Sequence, residues 1–349
     1  RLEEVLLRSS PTFGFYDTHM NASYKYKLGD FQASFFSIKD EYTNSIAQNQ
    51  RINLNTNLFQ SVMGTSTNNR DWQSLGYGLS SRINITSKFN TNIRWYSSSY
   101  DEDYLLQTTI TPRTNLSKLT NKTDFSTDVK LSEISWMNQY QISSTTQWKA
   151  GVSKMSLLSL SDFSSTRNNQ YTDKNELVNN TIFTQVQYQP THYTMQSAVK
   201  LNWVANQMLI DWNALLIRSL ENNVSLKFSA SRSNQIMRRL NIRDIFDQSL
   251  GIWTGINQQI PPLLTHQLAA GFIFKQNNFF IDIEGYFKKM NGVAELISPQ
   301  PQIREPLQEL QDLDVLLGNG IVNGADILAR YESNNFNTQV SYTLSKATN

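Results

Sequence analysis

Three arginines, Arg238, Arg239 and Arg243, stand close together ahead of Gly251-Ile-Trp253. A guanidinium is planar and always charged, and it holds carboxylates and phosphates through paired hydrogen bonds. Arg238, Arg239, Arg243 and Trp253 are therefore the expected binding residues for an anionic chelate or peptide. The plainer alternative is a bridge to surface phosphates or to loop acids such as Asp244. A second set, Asp282, Glu284, Tyr286 and Lys288, recurs at two-residue intervals. In a strand that spacing puts all four on one face. Buried there, they would need partners; open to water, they would line it.

Other chemistry-bearing residues read as bland. Asp101-Glu102-Asp103, followed by Tyr104, offers oxygens to a hard cation, but the spaced ligands of a calcium loop are missing. A solvated acidic loop is the expectation. His19, His192 and His266 lie far apart, without metal-ligand spacing, and a structural or solvated role is expected for each. Leu307, Leu310, Leu313 and Leu317 recur at helical spacing between Pro306 and Gly318, which reads as a short acidic amphipathic helix. It would pack on its own domain or dock onto a partner. No nucleophile elbow, phosphate loop, zinc motif or nucleic-acid module is present, so no catalytic group, metal or cofactor is expected.

The elements that position these residues are legible as alternation. From Phe336, one face reads Phe336, Thr338, Val340, Tyr342, Leu344 and the other Asn337, Gln339, Ser341, Thr343, Ser345. That is a strand with one greasy and one wet face. Seven hairpins of this kind can be drawn. Their turns fall at Gly29-Asp30, Ser87-Lys88, near Ser144, Pro190-Thr191-His192, Glu221-Asn222-Asn223, Gln276-Asn277-Asn278 and Ser333-Asn334-Asn335. Asn and Gly suit such turns because they tolerate positive φ. The first hairpin starts its strand after Phe13-Gly-Phe-Tyr-Asp17.

Composition fits the pattern. Asn, Ser, Thr and Gln make up more than a third of the 349 residues, only 17% are charged, and 40 are aromatic (15 Tyr, 18 Phe, 7 Trp). The mean hydropathy is −0.45. A soluble domain carries more charge and a denser aliphatic core, and a disordered chain lacks aromatics. The net charge of +2 leaves no nucleic-acid footprint, and the absence of cysteine excludes disulfides and thiolate chemistry. No apolar run is long enough for a membrane helix, which says nothing against barrel strands.

Connections between the hairpins are mostly long, at 41–72, 101–126, 155–178, 234–264 and 292–320, with a short link near Ala205–Gln207. Short turns alternating with long loops favour a membrane barrel over a soluble sandwich or a β-solenoid. The expected fold is all-β: a transmembrane antiparallel β-barrel, an up-and-down meander with about 14 strands present.

Several stretches carry a family resemblance. His266-Gln-Leu-Ala-Ala-Gly-Phe and Phe279-Phe-Ile-Asp-Ile-Glu-Gly-Tyr-Phe-Lys-Lys-Met-Asn-Gly-Val resemble the barrel of TonB-dependent outer-membrane receptors. Gly324-Ala325-Asp326 with Ser341-Tyr-Thr-Leu-Ser-Lys346 does so too, and Phe13–Asp17 and Gly251-Ile-Trp-Thr-Gly before Pro261-Pro262 look like versions common in Bacteroidota. The resemblance covers nearly the whole chain. It implies a barrel of 22 strands behind an N-terminal plug, so residues 1–349 would be a partial outer-membrane barrel domain without the plug and the final strands. It further implies energised uptake of a scarce nutrient (a ferric chelate, cobalamin, an oligosaccharide or a peptide) across the bacterial outer membrane. TonB-ExbB-ExbD would act through the plug. Outer-membrane lipid and lipopolysaccharide would surround the barrel, and a surface lipoprotein is a further expected partner. Two other roles remain open: a structural barrel subunit of an outer-membrane assembly or secretion complex, and a self-contained passive pore.

Overall fold

A computed structural model describes residues 11–55, 58–112, 119–166, 170–220, 223–243, 249–257, 259–296 and 315–348. The first eight strands are β1 (Thr12–Tyr26), β2 (Gly29–Asn55), β3 (Leu58–Asn84), β4 (Phe89–Pro112), β5 (Leu119–Gln141), β6 (Thr146–Ser165), β7 (Gln170–Tyr188) and β8 (Tyr193–Val204). The rest are β9 (Gln207–Ser219), β10 (Val224–Gln235), β11 (Met237–Arg243), β12 (Ser249–Gly255), β13 (Leu263–Gln276), β14 (Phe279–Leu296), β15 (Val315–Glu332) and β16 (Asn337–Thr348). Fourteen form one antiparallel meander in chain order, with β10 passing directly to β13; β11 and β12 pair only with each other. Among the described residues no pairing joins β1 to β16.

Each strand of the meander has an apolar and a polar face, as the alternation predicts. Large apolar side chains stay exposed along the first, among them Tyr24, Trp136, Ile182, Leu268 and Val340. A continuous apolar surface on this scale has no place on a soluble monomer and fits lipid. Polar atoms on this face are satisfied between strands: the Trp136 indole donates to Thr91 Oγ1 at 2.7 Å, and the Trp148 indole to Thr184 Oγ1 at 2.9 Å. In hydrocarbon an unmet indole N–H costs several kcal/mol, roughly, which explains threonines among the apolar residues. Near the short turns lie aromatic pairs such as Phe279–Tyr331, with centroids 4.7 Å apart, and Phe89–Tyr140 at 6.4 Å.

The tight turns follow local chemistry. Ala205 and Asn206 take φ of 49° and 59° between paired Val204 and Gln207, a two-residue turn of primed type. The first turn sits at Lys27-Leu28, two residues before the expected Gly29-Asp30, because Tyr26 pairs with Gly29. One other expectation moves: Phe13–Asp17 belongs to β1 rather than preceding it. His19 lies mid-strand opposite Phe36.

The largest correction concerns the long loops. Residues 41–55 and 58–72 are the continuation of β2 and β3, paired as far as Asn55 and Leu58. β4 through β7 likewise run on through most of 101–126 and 155–178. Beyond the apolar belt neither face meets lipid, so greasy alternation stops while the hydrogen-bonded ladder continues. Asp71, Asp101, Asp103 and Lys130 occupy the apolar-face side there. The connection 234–264 contains β11 and β12, and 292–320 contains the ends of β14 and β15. Leu307, Leu310 and Leu313 of the expected helix lie outside the described residues, and Leu317 stands in β15, half-exposed.

Candidate ligand-facing site on the polar face

Glu102 shares the polar side of β4 with Tyr96, Tyr100 and Tyr104, because all sit at even positions. It lies in mid-strand rather than in the acidic loop expected from Asp101-Glu102-Asp103. Its carboxylate is fully buried. Arg70 of β3 reaches Oε1 through Nε at 2.6 Å and Nη2 at 2.5 Å. Arg239 of β11 approaches both oxygens at 3.3 and 3.4 Å, and the Tyr100 hydroxyl donates to Oε2 at 2.7 Å. A buried carboxylate is tolerable only with such partners. Burial, then the hydrogen bond to Glu102, push the Tyr100 phenol well above its ordinary range and keep it a donor.

This clamp pins the β11–β12 hairpin to the polar face. Arg238 is buried and works as a second pin. Its guanidinium donates to the Gly292 carbonyl at 2.6 Å and to the Pro261 carbonyl. A bulge lies between Asn291 and Val293 of β14, and Gly292 within it has φ of 78°. The bulge re-aims the strand beside the hairpin, and the positive φ suits glycine alone. Between the pins lies a small apolar core. Val129, Leu157, Leu177, Val204 and Leu209 point in from β5 to β9, and Ile256 closes on them. Trp253 packs against this core and meets Tyr100 edge-on, with centroids 6.3 Å apart; Trp72 flanks Tyr100 at 6.2 Å. Under the hairpin, burial raises the Asp173 carboxyl above its usual range, and a hydrogen bond with Thr254 partly offsets this.

The four expected ligand residues thus separate. Arg238 is consumed by backbone carbonyls and cannot also grip a ligand. Arg239 is shared with Glu102, yet its Nε, like Trp253 Nε1, is buried without a protein acceptor. Those are donors that water or a ligand oxygen would meet. Arg243 pairs through its backbone with Ser249, and its side chain lies outside the described residues. Sequence reasoning placed Glu102 in a solvated acidic loop rather than in this clamp, and missed Arg70 and Tyr100. The signal that finds them is parity, since the polar positions of β4 continue in step through Glu102.

Of the second set, Asp282 and Glu284 lie beside Lys227 of β10, whose Nζ is 2.6 Å from Asp282 and 3.0 Å from Glu284. Lys227 crosses over Gly271 of β13, which stands between them in the register. Lys288 lies over the Tyr286 ring at 4.9 Å. Among the described residues no group of acids, histidines or cysteines has the geometry of a metal site.

No protein-family model matches the sequence, and no curated protein matches it. Solved structures do. The RagAB peptide transporter is 10% identical and superposes with a TM-score of 0.54 over 96% of this chain and 51% of its own. The ferric-catecholate import receptor Fiu from E. coli K12 is 9% identical, with a TM-score of 0.57 over 98% of this chain and 64% of that one. The fold is that of a TonB-dependent outer-membrane receptor barrel. The copper transporter OprC matches similarly, at 10% identity and a TM-score of 0.56, over 98% of this chain and 61% of that one. The chain spans about half to two-thirds of the length of these structures. At such identities the likeness is one of fold, and the resemblance read from the sequence is met at that level.

Proposed function

We propose that the chain is part of the barrel of a TonB-dependent receptor in a bacterial outer membrane, taking up a scarce nutrient by energised transport. The observation that carries this reading is the inward hairpin. A meander with a lipid-type apolar face holds a second, pinned sheet on its polar face, where donors of Arg239 and Trp253 remain unmet. The fold neighbours give the reading its direction, since their names speak of peptide, ferric-catecholate and copper transport. For this chain an anionic chelate or peptide suits Arg239 and Trp253 best. Residues 1–349 would be a partial barrel domain. The plug would supply partners for Tyr286, Lys288 and the Lys227–Asp282–Glu284 group, and would couple to TonB-ExbB-ExbD. A surface lipoprotein would cover the long-strand end. A self-contained passive pore would require β1 to pair with β16, a pairing not found among the described residues. A structural subunit remains the rival, and nothing in the geometry favours it.

The test is uptake by the full-length protein in its native outer membrane. Cells with and without TonB are offered radiolabelled ferric chelates, cobalamin, oligosaccharides and peptides. The reading predicts TonB-dependent accumulation of one class and its loss in Trp253→Ala. Equal accumulation of every class in cells with and without the gene contradicts it.

A further inference from the structure

On the apolar-face side three cations stand together toward the long-strand end. Arg232 of β10, His266 of β13 and Lys289 of β14 stand side by side in the register, with Trp212 of β9 next in the row. Their parity is that of Phe228, Leu268 and Phe287, so all three extend from the lipid side. Adjacent strands are about 4.8 Å apart, which puts Arg232 and Lys289 roughly 10 Å from each other with the imidazole between them. Among the described residues no acid pairs with any of the three, whereas Lys227 and Arg239 on the polar face are paired. Arg232 Nε is buried and has no acceptor at all. An uncompensated guanidinium at a lipid boundary is costly unless an anion meets it.

Immediately below this row the apolar face is hollow. Ser197, Ala214 and Ala230 are register neighbours on β8, β9 and β10; Ala270 and Gly285 pair with each other on β13 and β14 one step further from the cations, in the row of Phe228, since Ala230 itself meets Leu268. With Leu216, Phe228, Leu268 and Phe287 standing around them, they form a groove of about 890 Å³ with an almost wholly apolar lining. Ala230 is two residues from Arg232, so the groove begins about 7 Å from the cations. Cations above a greasy trough match one chemistry: a phosphate on a headgroup whose acyl chain runs down the sheet.

We propose that this face is a binding site for a phosphorylated acyl lipid of the leaflet at the long-strand end, with its phosphate on Arg232, His266 and Lys289 and a chain in the Ser197–Ala230 groove. The site goes beyond the uptake reading and rests only on its membrane placement. Bidentate Arg–phosphate bonds fix the headgroup, Lys289 adds a point charge, and the imidazole N–H donates between them. Trp212 borders the site at headgroup depth, where indoles favour the interface.

Native mass spectrometry of the full-length protein, extracted into mild detergent and titrated with a bis-phosphorylated multi-acyl glucosamine lipid, tests this. The expected result is one tightly retained lipid. Removing its phosphates weakens binding about tenfold or more, and inorganic phosphate alone leaves no adduct. Arg232→Gln/His266→Gln/Lys289→Gln weakens binding comparably, Lys27→Gln/Lys88→Gln at the turn end does not, and Ala230→Phe weakens it with all cations intact. Equal retention of phosphorylated and dephosphorylated lipid by the wild type, or undiminished retention by the triple variant, overturns the proposal. The wild-type comparison needs no folded variant. Heat-modifiable migration of the same preparations tests the barrel separately, so failure of the wild type to retain the lipid while its barrel stays heat-modifiable overturns the site and not the membrane reading.

Discussion

Replacing Glu102 with Gln should free the β11–β12 hairpin. The carboxylate is fully buried and receives Arg70 at 2.5 Å, Tyr100 at 2.7 Å and Arg239 at 3.3 Å. Breaking a wholly buried pair costs about 3–5 kcal/mol. Arg70 and Arg239 each keep about a third of their side-chain exposure, 31% and 32%, so part of their charge is rehydrated once the anion is gone. The cost to hairpin docking is then about 2–3 kcal/mol, or roughly a 30- to 150-fold rise in its opening equilibrium. Amide hydrogen exchange reads that quantity directly for a locally opening unit. Peptides covering Met237–Gly255 should exchange faster by that factor, while β8 and β9 keep their protection. Arg239→Gln should accelerate the same peptides. The double variant should fall short of the sum, because both single changes break one contact. Unchanged exchange in Glu102→Gln, or strictly additive effects, would refute the idea that the clamp holds the hairpin.

Three other outcomes are expected. A Cβ at Gly271 would strike the Ile283 carbonyl and press Lys227 Cε at 3.0 Å, whereas Gly318 has nothing within 4 Å; Gly271→Ala should lower stability in urea titrations by about 1–3 kcal/mol, and Gly318→Ala by less than about 0.5. Asp173 has its carboxyl raised by burial beneath Thr254, so its contribution is full below the usual carboxylate range and is lost as pH rises through the raised value. Hairpin protection should therefore fall across that window in the wild type and stay flat in Asp173→Asn, as exchange at pH 4 and pH 7 would reveal. Val186→Arg, on the apolar face, should impair insertion by roughly 2–4 kcal/mol, and Gln187→Arg, on the polar face, by little, in folding titrations into lipid vesicles.

What the sequence made legible is what lipid imposes. Ile182, Val186 and Trp203 alternate with polar residues because one face of each strand must be greasy, and that period gives strands, turns and a meander of the right size. Where lipid ends, the constraint ends. The upper halves of β2 to β7 look like loops because Asp101 and Asp103 are free to stand on the side where Trp95 was required. The hairpin was hidden for a different reason. Arg238 and Arg239 have the chemistry of ligand residues, and only long-range contacts with Gly292 and Glu102, far away in sequence, turn one into a pin and the other into half of a clamp. No local pattern encodes such partners. The groove beside Arg232 is equally silent in sequence, since its small residues lie on five different strands and become neighbours only through register.

The chain contains no cysteine, which makes the central claim directly measurable. Single cysteines placed along β10 at Leu226, Lys227, Phe228 and Ser229 of the protein in native outer membranes can be challenged with a water-soluble maleimide and with a lipid-soluble one. The structure predicts strict alternation: Leu226 and Phe228 react only with the lipid-soluble reagent, and Lys227 and Ser229 with the water-soluble one. Uniform reaction with the water-soluble reagent at all four positions would contradict a membrane barrel with a lipid-facing and a lumen-facing side.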